Sequence, residues 1–207
     1  MKTNTWMIVA TFSMFASGQF LFAASPRSNV PDVRQEFKVV RTFSAKDGIY
    51  VHRSYLVEWN GQEVVVEDPT ARSNYRSDDT ITVGVPRRFS GPRGLLSFFL
   101  MAPKKTTSLP SGEISASLKA RQPTGGHVEL KVLKVFSAQD GEYYFRAYLA
   151  EWNGQEVVVV DPRGETQYVI DDPLPAMFAK IQYSESEMHG VLRFETTPLR
   201  LIKTKKA

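Results

Sequence analysis

Two apolar runs, each broken after a tryptophan by the same polar turn, set the pattern of this chain. They are YLVEWNGQEVVVEDP (residues 55–69) and YLAEWNGQEVVVVDP (residues 148–162). β-Branched and aromatic residues at short spacing read as strands. Asn-Gly between them reads as a two-residue type I′ hairpin turn, because both residues tolerate positive φ. That turn fixes a register. Trp59 opposes Gln62, Val57 opposes Val64, Tyr55 opposes Val66 and Arg53 opposes Asp68. The second hairpin repeats this as Trp152–Gln155, Ala150–Val157, Tyr148–Val159 and Arg146–Asp161. Each Arg–Asp couple is expected to form a cross-strand ion pair, a contribution of roughly 0.2–1 kcal/mol. The other face sets Leu56 against Val65 and Leu149 against Val158. Each hairpin is therefore apolar on both faces and needs further strands to cover it.

The hairpins belong to a longer repeat. Residues 38–69 and 131–162 align without a gap at an offset of 93, and 22 of the 32 positions are identical. Upstream, FKVVRTFSA (37–45) reads as a strand and Lys46-Asp47-Gly48 as a turn. Downstream, 80–89 and 95–102 are strand-like in the first copy, and 176–184 and 189–197 in the second. Residues 74–79 and 167–172 keep a tyrosine and two aspartates in common. No segment has an amphipathic helical period of ten residues or more.

The expected fold class is all-β: two tandem small antiparallel β-barrels, SH3-like or OB-like, from an internal duplication, joined by a flexible linker. Closure into barrels would also remove exposed strand edges. The OB pattern places a helix between its third and fourth strands. Residues 69–79 leave room for about one turn there, which favours the SH3-like shape. The repeats span 32–103 and 128–202. Between them, 104–127 has a linker's Ser, Thr, Gly, Pro and Lys, and 203–207 is a basic tail.

Residues 1–24 hold one lysine and then an uncharged apolar run, the pattern of a secretory signal peptide with small residues placed for cleavage between 18 and 19. The competing reading is an uncleaved anchor, the one route to a membrane. The expected location is periplasmic or secreted, in a bacterial envelope. The chain has no cysteine, which excludes disulfides, thiolate catalysis and Cys-ligated zinc. Its pI of about 9.2 and net charge of +4 suggest nucleic acid, but the charge is unevenly placed. Residues 32–103 carry ten basic and nine acidic side chains, and 128–200 carry seven and twelve. The positive excess thus lies in linker and tail, and on that count nucleic acid is set aside as a partner.

Catalytic patterns are absent. His52, His127 and His189 share no position between copies and form no H-E-x-x-H site. Glu58 opposes Glu63 and Glu151 opposes Glu156. Such pairs, or Asp78-Asp79 and Asp171-Asp172, could share a proton or ligate calcium, but at hairpin tips they read as solvated carboxylates. No cofactor or metal is expected. The better candidates are a stripe of Arg53, Tyr55 and Trp59, repeated as Arg146, Tyr148 and Trp152. Facing outward it would stack on sugars or bases; facing inward it is core. Arg87, Arg88 and Arg93 surround one loop, whose counterpart holds Ser184, Glu185, Ser186 and Glu187. Such opposite loops could dock on one another. The expected function is a non-catalytic exported binding or scaffold module with a protein or polysaccharide partner. The alternatives are an anionic-polymer binder using the Arg/Tyr/Trp faces and a hydrolase using acidic residues.

Overall fold

The computed structural model describes residues 33–90, 93–101, 124–182 and 189–197. The leader, the loop at 184–187, residues 198–207 and most of the expected linker lie outside the described residues. Twelve strands make up the described fold. The first half holds β1 (Val33–Asp47), β2 (Tyr50–Trp59), β3 (Gln62–Glu67), β4 (Thr80–Val85), β5 (Arg87–Ser90), β6 (Arg93–Leu96) and β7 (Phe99–Leu100). The second holds β8 (Thr124–Asp140), β9 (Tyr143–Trp152), β10 (Gln155–Val160), β11 (Pro173–Ile181) and β12 (Gly190–Thr196). Residues 124–127, expected in the linker, are the start of β8. Pro86 divides the expected strand 80–89 into β4 and β5 because it has no N–H to continue the ladder.

The Asn-Gly turns form as the sequence demands. Asn60 and Gly61 have φ of 49° and 72°, and Asn153 and Gly154 have 51° and 72°. The register follows: Trp59 pairs Gln62 and Tyr55 pairs Val66, while Trp152 pairs Gln155 and Tyr148 pairs Val159. Both first strands carry a β-bulge at the same place, between Val39 and Arg41 and between Val132 and Lys134. The extra residue bends the strand, which lets one long strand serve two neighbours.

In the first half, β1 pairs β2 and β4, β2 pairs β3, and β7 joins β4 to β3. In the second, β8 pairs β9 and β11, β9 pairs β10, and β12 joins β11 to β10. Each ring of five closes through one parallel joint, β3–β7 or β10–β12. This is the OB order, not the SH3-like one. The OB-like member of the expected pair therefore holds, and the lean toward the SH3-like shape rested on the missing helix after the third strand. Here an aspartate-centred loop spans that gap instead.

The halves are not separate barrels on a linker. β12 pairs β2 in parallel at Gly190–Tyr50 and Val191–Val51, and β6 pairs β9 in parallel at Gly94–Tyr143 and Leu95–Tyr144. One hydrogen-bonded sheet therefore runs through all twelve strands. The two-faced hairpins are explained by this. Tyr55, Val57, Val64 and Val66 fill the first ring, while Leu56 and Val65 join one core cluster with Phe145, Leu149 and Val158 of the second half.

Candidate functional site: the seam between the halves

The seam repeats itself about a pseudo-two-fold axis, because each half offers the same residues to the other. The axis passes between Phe43 and Phe136, equivalent residues whose ring centroids lie 6.1 Å apart. The Arg41 guanidinium lies 5.0 Å from the centre of the first ring and the Lys134 ammonium 5.2 Å from the second. The same two cations reach across the seam, Arg41 to Glu156 and Lys134 to Glu63, each at 2.5 Å. Of the carboxylates considered above as metal ligands, Glu63 and Glu156 are thus seam anchors. Gln62 clamps the backbone of Gln139, donating from Nε2 to its carbonyl (3.2 Å) and accepting from its N–H (2.9 Å). Gln155 does the same to Lys46, at 3.0 and 2.8 Å.

The β5–β6 arm and the β11–β12 arm complete the exchange. Arg87 pairs with Asp140 and lies over the Tyr143 ring; Lys180 pairs with Asp47 and lies over the Tyr50 ring. Gly94 and Gly190 are required at the crossings. A Cβ on Gly94 would enter the ring of Tyr143, and one on Gly190 the ring of Tyr50. The basic loop therefore does dock within the molecule, but on the Asp-Gly turn of the other half. Arg88 is exposed and makes no seam contact among the described residues, Phe89 beside it is 66% exposed, and only the backbone of Arg93 is described.

A buried histidine breaks the symmetry. His52 stands where the second half has Phe145, and it is buried. Its Nδ1 donates to the Leu192 carbonyl (3.2 Å) and its Nε2 accepts from the Val158 N–H (3.1 Å). Both partners belong to the other half, and they assign the neutral tautomer. Burial drives its pKa from 6.5 down to about 4; the hydrogen bond to Leu192 opposes this and the charge of Arg193 adds to it. Nearby, burial raises the pKa of Glu67 and of Glu195, while Arg193 pulls both back. The other wing of the seam carries Val160 and Phe99 at the equivalent places.

The stacking platform is corrected outright. Tyr55, Trp59, Tyr148 and Trp152 are between 0% and 8% exposed, so they are core and offer no face to a ring. The Tyr55 hydroxyl bonds Ser73 (2.5 Å), Tyr148 bonds Thr166 (2.9 Å), and burial raises both phenol pKa values. The Arg–Asp ion pairs are corrected too. The register holds, since Asp68 N–H donates to the Arg53 carbonyl and Asp161 N–H to that of Arg146, each at 3.1 Å. The carboxylates turn instead into their own loops. Asp68 accepts from the N–H and hydroxyl of both Thr70 and Ser73. Burial alone would raise its pKa, but these four bonds outweigh it and hold the carboxyl below its ordinary value. Asp161 accepts from the N–H groups of Arg163, Gly164 and Thr166, and from the Thr166 hydroxyl. Arg146 bonds the Thr166 carbonyl, and the buried Nε of Arg53 has no hydrogen-bond partner among the described residues.

The space beside Asp161, bounded by Pro162, Thr166 and Thr196, measures about 20 Å³, room for a single water. Among the described residues no group of three or more His, Asp or Glu is placed to hold a metal. Sequence reasoning missed the seam residues Gln62, Gln155, Asp47, Asp140, Gly94 and Gly190. The signal was there for the first four, which recur at the offset of 93 while lying on exposed turns or strand ends.

No family model matches the chain, and no curated protein does. Among solved structures, a murine DNA-binding protein bound with double-stranded DNA is similar at 13% identity and a TM-score of 0.25, over 80% of this chain and 92% of that one. The p204 HINb domain is similar at 14% identity and 0.22, over 79% and 97%. The Ifi202 HINa domain in complex with 20-base-pair DNA is similar at 14% and 0.22, over 80% and 97%. Two of these three structures hold DNA, and this overturns the exclusion of nucleic acid drawn above from segment charge. At such scores the likeness assigns no partner to this chain.

Proposed function

We propose that the chain is an exported, non-catalytic binding or scaffold module whose two halves act as one rigid body toward a protein partner. The observation that supports it is the reciprocal seam. An OB barrel usually takes ligands on its second and third strands and on the loops after its first and fourth. In this chain those elements carry Gln62, Gln155, Asp47, Asp140 and the two arms, all engaged by the other half. What remains outward includes Leu133, Val169 and Ile170, at 36%, 61% and 58% exposure. The Asp171 N–H bond to Val132 sets this turn beside the β8 bulge. The first half has Val40 exposed where the second has Leu133, but Arg76 and Ser77 at the corresponding turn, so the extension of the apolar surface across the turn is particular to the second.

The experiment is capture from a native envelope extract by the full chain and by Val169→Ser/Ile170→Ser, with cross-linking to identify what is retained. A protein held stoichiometrically by the wild type and lost in the variant supports the reading. Oligosaccharides and double-stranded DNA are titrated in parallel by fluorescence anisotropy. Saturable binding of either, with no protein retained, replaces it.

A further inference from the structure

His52 is a titratable side chain where the second half has Phe145, and it holds the halves by both ring nitrogens. We propose that His52 is an acid-sensitive bolt: neutral, it ties β2 to β10 and β12 of the other half, and on protonation it releases the seam while both barrels stay folded. The geometry gives the reason. Protonated Nε2 carries a hydrogen and meets the Val158 N–H donor-to-donor, so the bond at 3.1 Å is lost and that buried amide is left without an acceptor. Ser54 Oγ, 3.4 Å from Nε2, can accept the new hydrogen only through a long bond, and that still leaves the Val158 N–H without its acceptor. The Phe194 ring, 5.6 Å away and nearly perpendicular to the imidazole, supplies no counter-charge.

The neighbouring charges set the direction. Arg193 repels an imidazolium. Glu67 and Glu195 lie around that arginine, and burial raises both their pKa values. They therefore lose their charge early in acidification and leave Arg193 without its counter-charges as His52 begins to titrate. Protonation of these two glutamates in itself favours the closed seam, because their folded-state pKa values lie above the ordinary one. Their stabilisation is present in acid and fades as pH rises. The histidine acts oppositely. Its folded value of about 4 against 6.5 means that the seam weakens as pH falls from 6.5 toward 4. Across that window the open-to-closed ratio rises roughly 80-fold from His52 alone, and the full factor of about 300, tenfold per pKa unit, is reached only below pH 4.

Native-state hydrogen exchange of the full chain, read at single amides between pH 7 and 4 and corrected for intrinsic rates, tests this. The reporters are the Val158 N–H and the Gly190 N–H, which crosses the seam to the Ile49 carbonyl at 2.9 Å. Amides inside the β9–β10 ladder report on barrel unfolding. Seam protection is expected to fall on the order of a hundredfold more in the wild type than in His52→Phe, the residue the second half already uses there. His52→Gln, which cannot charge, should behave like His52→Phe. The proposal is overturned if seam protection in the wild type does not fall, or falls equally in both variants. It is likewise overturned if the β9–β10 amides lose protection by the same factor, since that is global unfolding.

Discussion

Removing one ring at the pseudo-two-fold axis should destabilise both halves together. Phe43 and Phe136 are each 1% exposed, and Phe→Ala in a core costs about 3–5 kcal/mol from lost transfer free energy and the cavity left behind. Contact between the two rings adds roughly 0.5–1.5 kcal/mol beyond area, and it disappears when either ring does. The stability of a chain this size is about 5–15 kcal/mol, so Phe→Leu serves as a gentler step where Ala leaves nothing folded. The chain supplies its own probes, with Trp59 in one barrel and Trp152 in the other. In a Trp6→Phe background, Trp152→Phe leaves fluorescence reporting the first half and Trp59→Phe the second. Urea unfolding of Phe43→Ala should then move the Trp152 transition as far as the Trp59 transition, and the double-mutant cycle should show an interaction of about 0.5–1.5 kcal/mol. A Trp152 midpoint untouched by Phe43→Ala, with additive costs in the cycle, would falsify the claim that the seam makes one cooperative unit.

Three further outcomes follow from particular residues. Asp161→Ala strips the carboxylate acceptor from two buried loop N–H groups, those of Gly164 and Thr166, and should cost roughly 2–6 kcal/mol in denaturant unfolding, at about 1–3 kcal/mol per orphaned buried donor. Asp68 has a depressed folded pKa, so its stabilisation is complete above its ordinary value of 3.8 and is lost as pH falls through the folded value. A stability–pH profile of Asp68→Asn should accordingly lose slope below about pH 4. Ala71 sits at φ 52° where the sister loop has Gly164 at φ 62°. Ala71→Gly should raise the melting temperature through a gain of up to about 1 kcal/mol, while Gly164→Ala should lower it by about 1–2 kcal/mol, because only glycine is unstrained there.

The hairpins were legible because their information is local. Asn-Gly has one good conformation between two β-forming runs, and the pleat carries its register along the strand. Barrel type was harder to read. It turns on whether the third strand meets the fifth in parallel, and that meeting rests on a single pair in each half, Glu67–Phe99 or Val160–Glu195. The Arg53–Asp68 register was right and its chemistry wrong for one reason. Four loop donors within five residues of Asp68 compete with an arginine across the ladder, and local hydrogen bonds are cheaper in chain entropy than ordering a long side chain. The stripe of Tyr55 and Trp59 was ambiguous in principle, since alternation says that a face is shared and not which side of it is wet.

Duplication ties these observations to function. A barrel with a ligand face, copied once and folded back, meets its own image as the nearest partner at high effective concentration. An isologous contact, in which each copy uses the same surface on the other, then forms with no new residue type. Selection can afterwards break the symmetry where one copy is worth more than two, as at His52 against Phe145, at Glu67 against Val160, and at Val169-Ile170 against Arg76-Ser77. On the readings proposed above, the shared framework makes the body, and these differences are where a partner or a proton would be sensed. Substitutions at such unequal positions should therefore alter recognition or acid response at constant fold. Equivalent substitutions at the paired ones, such as Gln62→Ala with Gln155→Ala, should lower stability and leave specificity alone. A competition assay against the retained partner, run beside urea unfolding for both classes, separates the two effects. Paired-site variants that change partner preference without losing stability would refute the division.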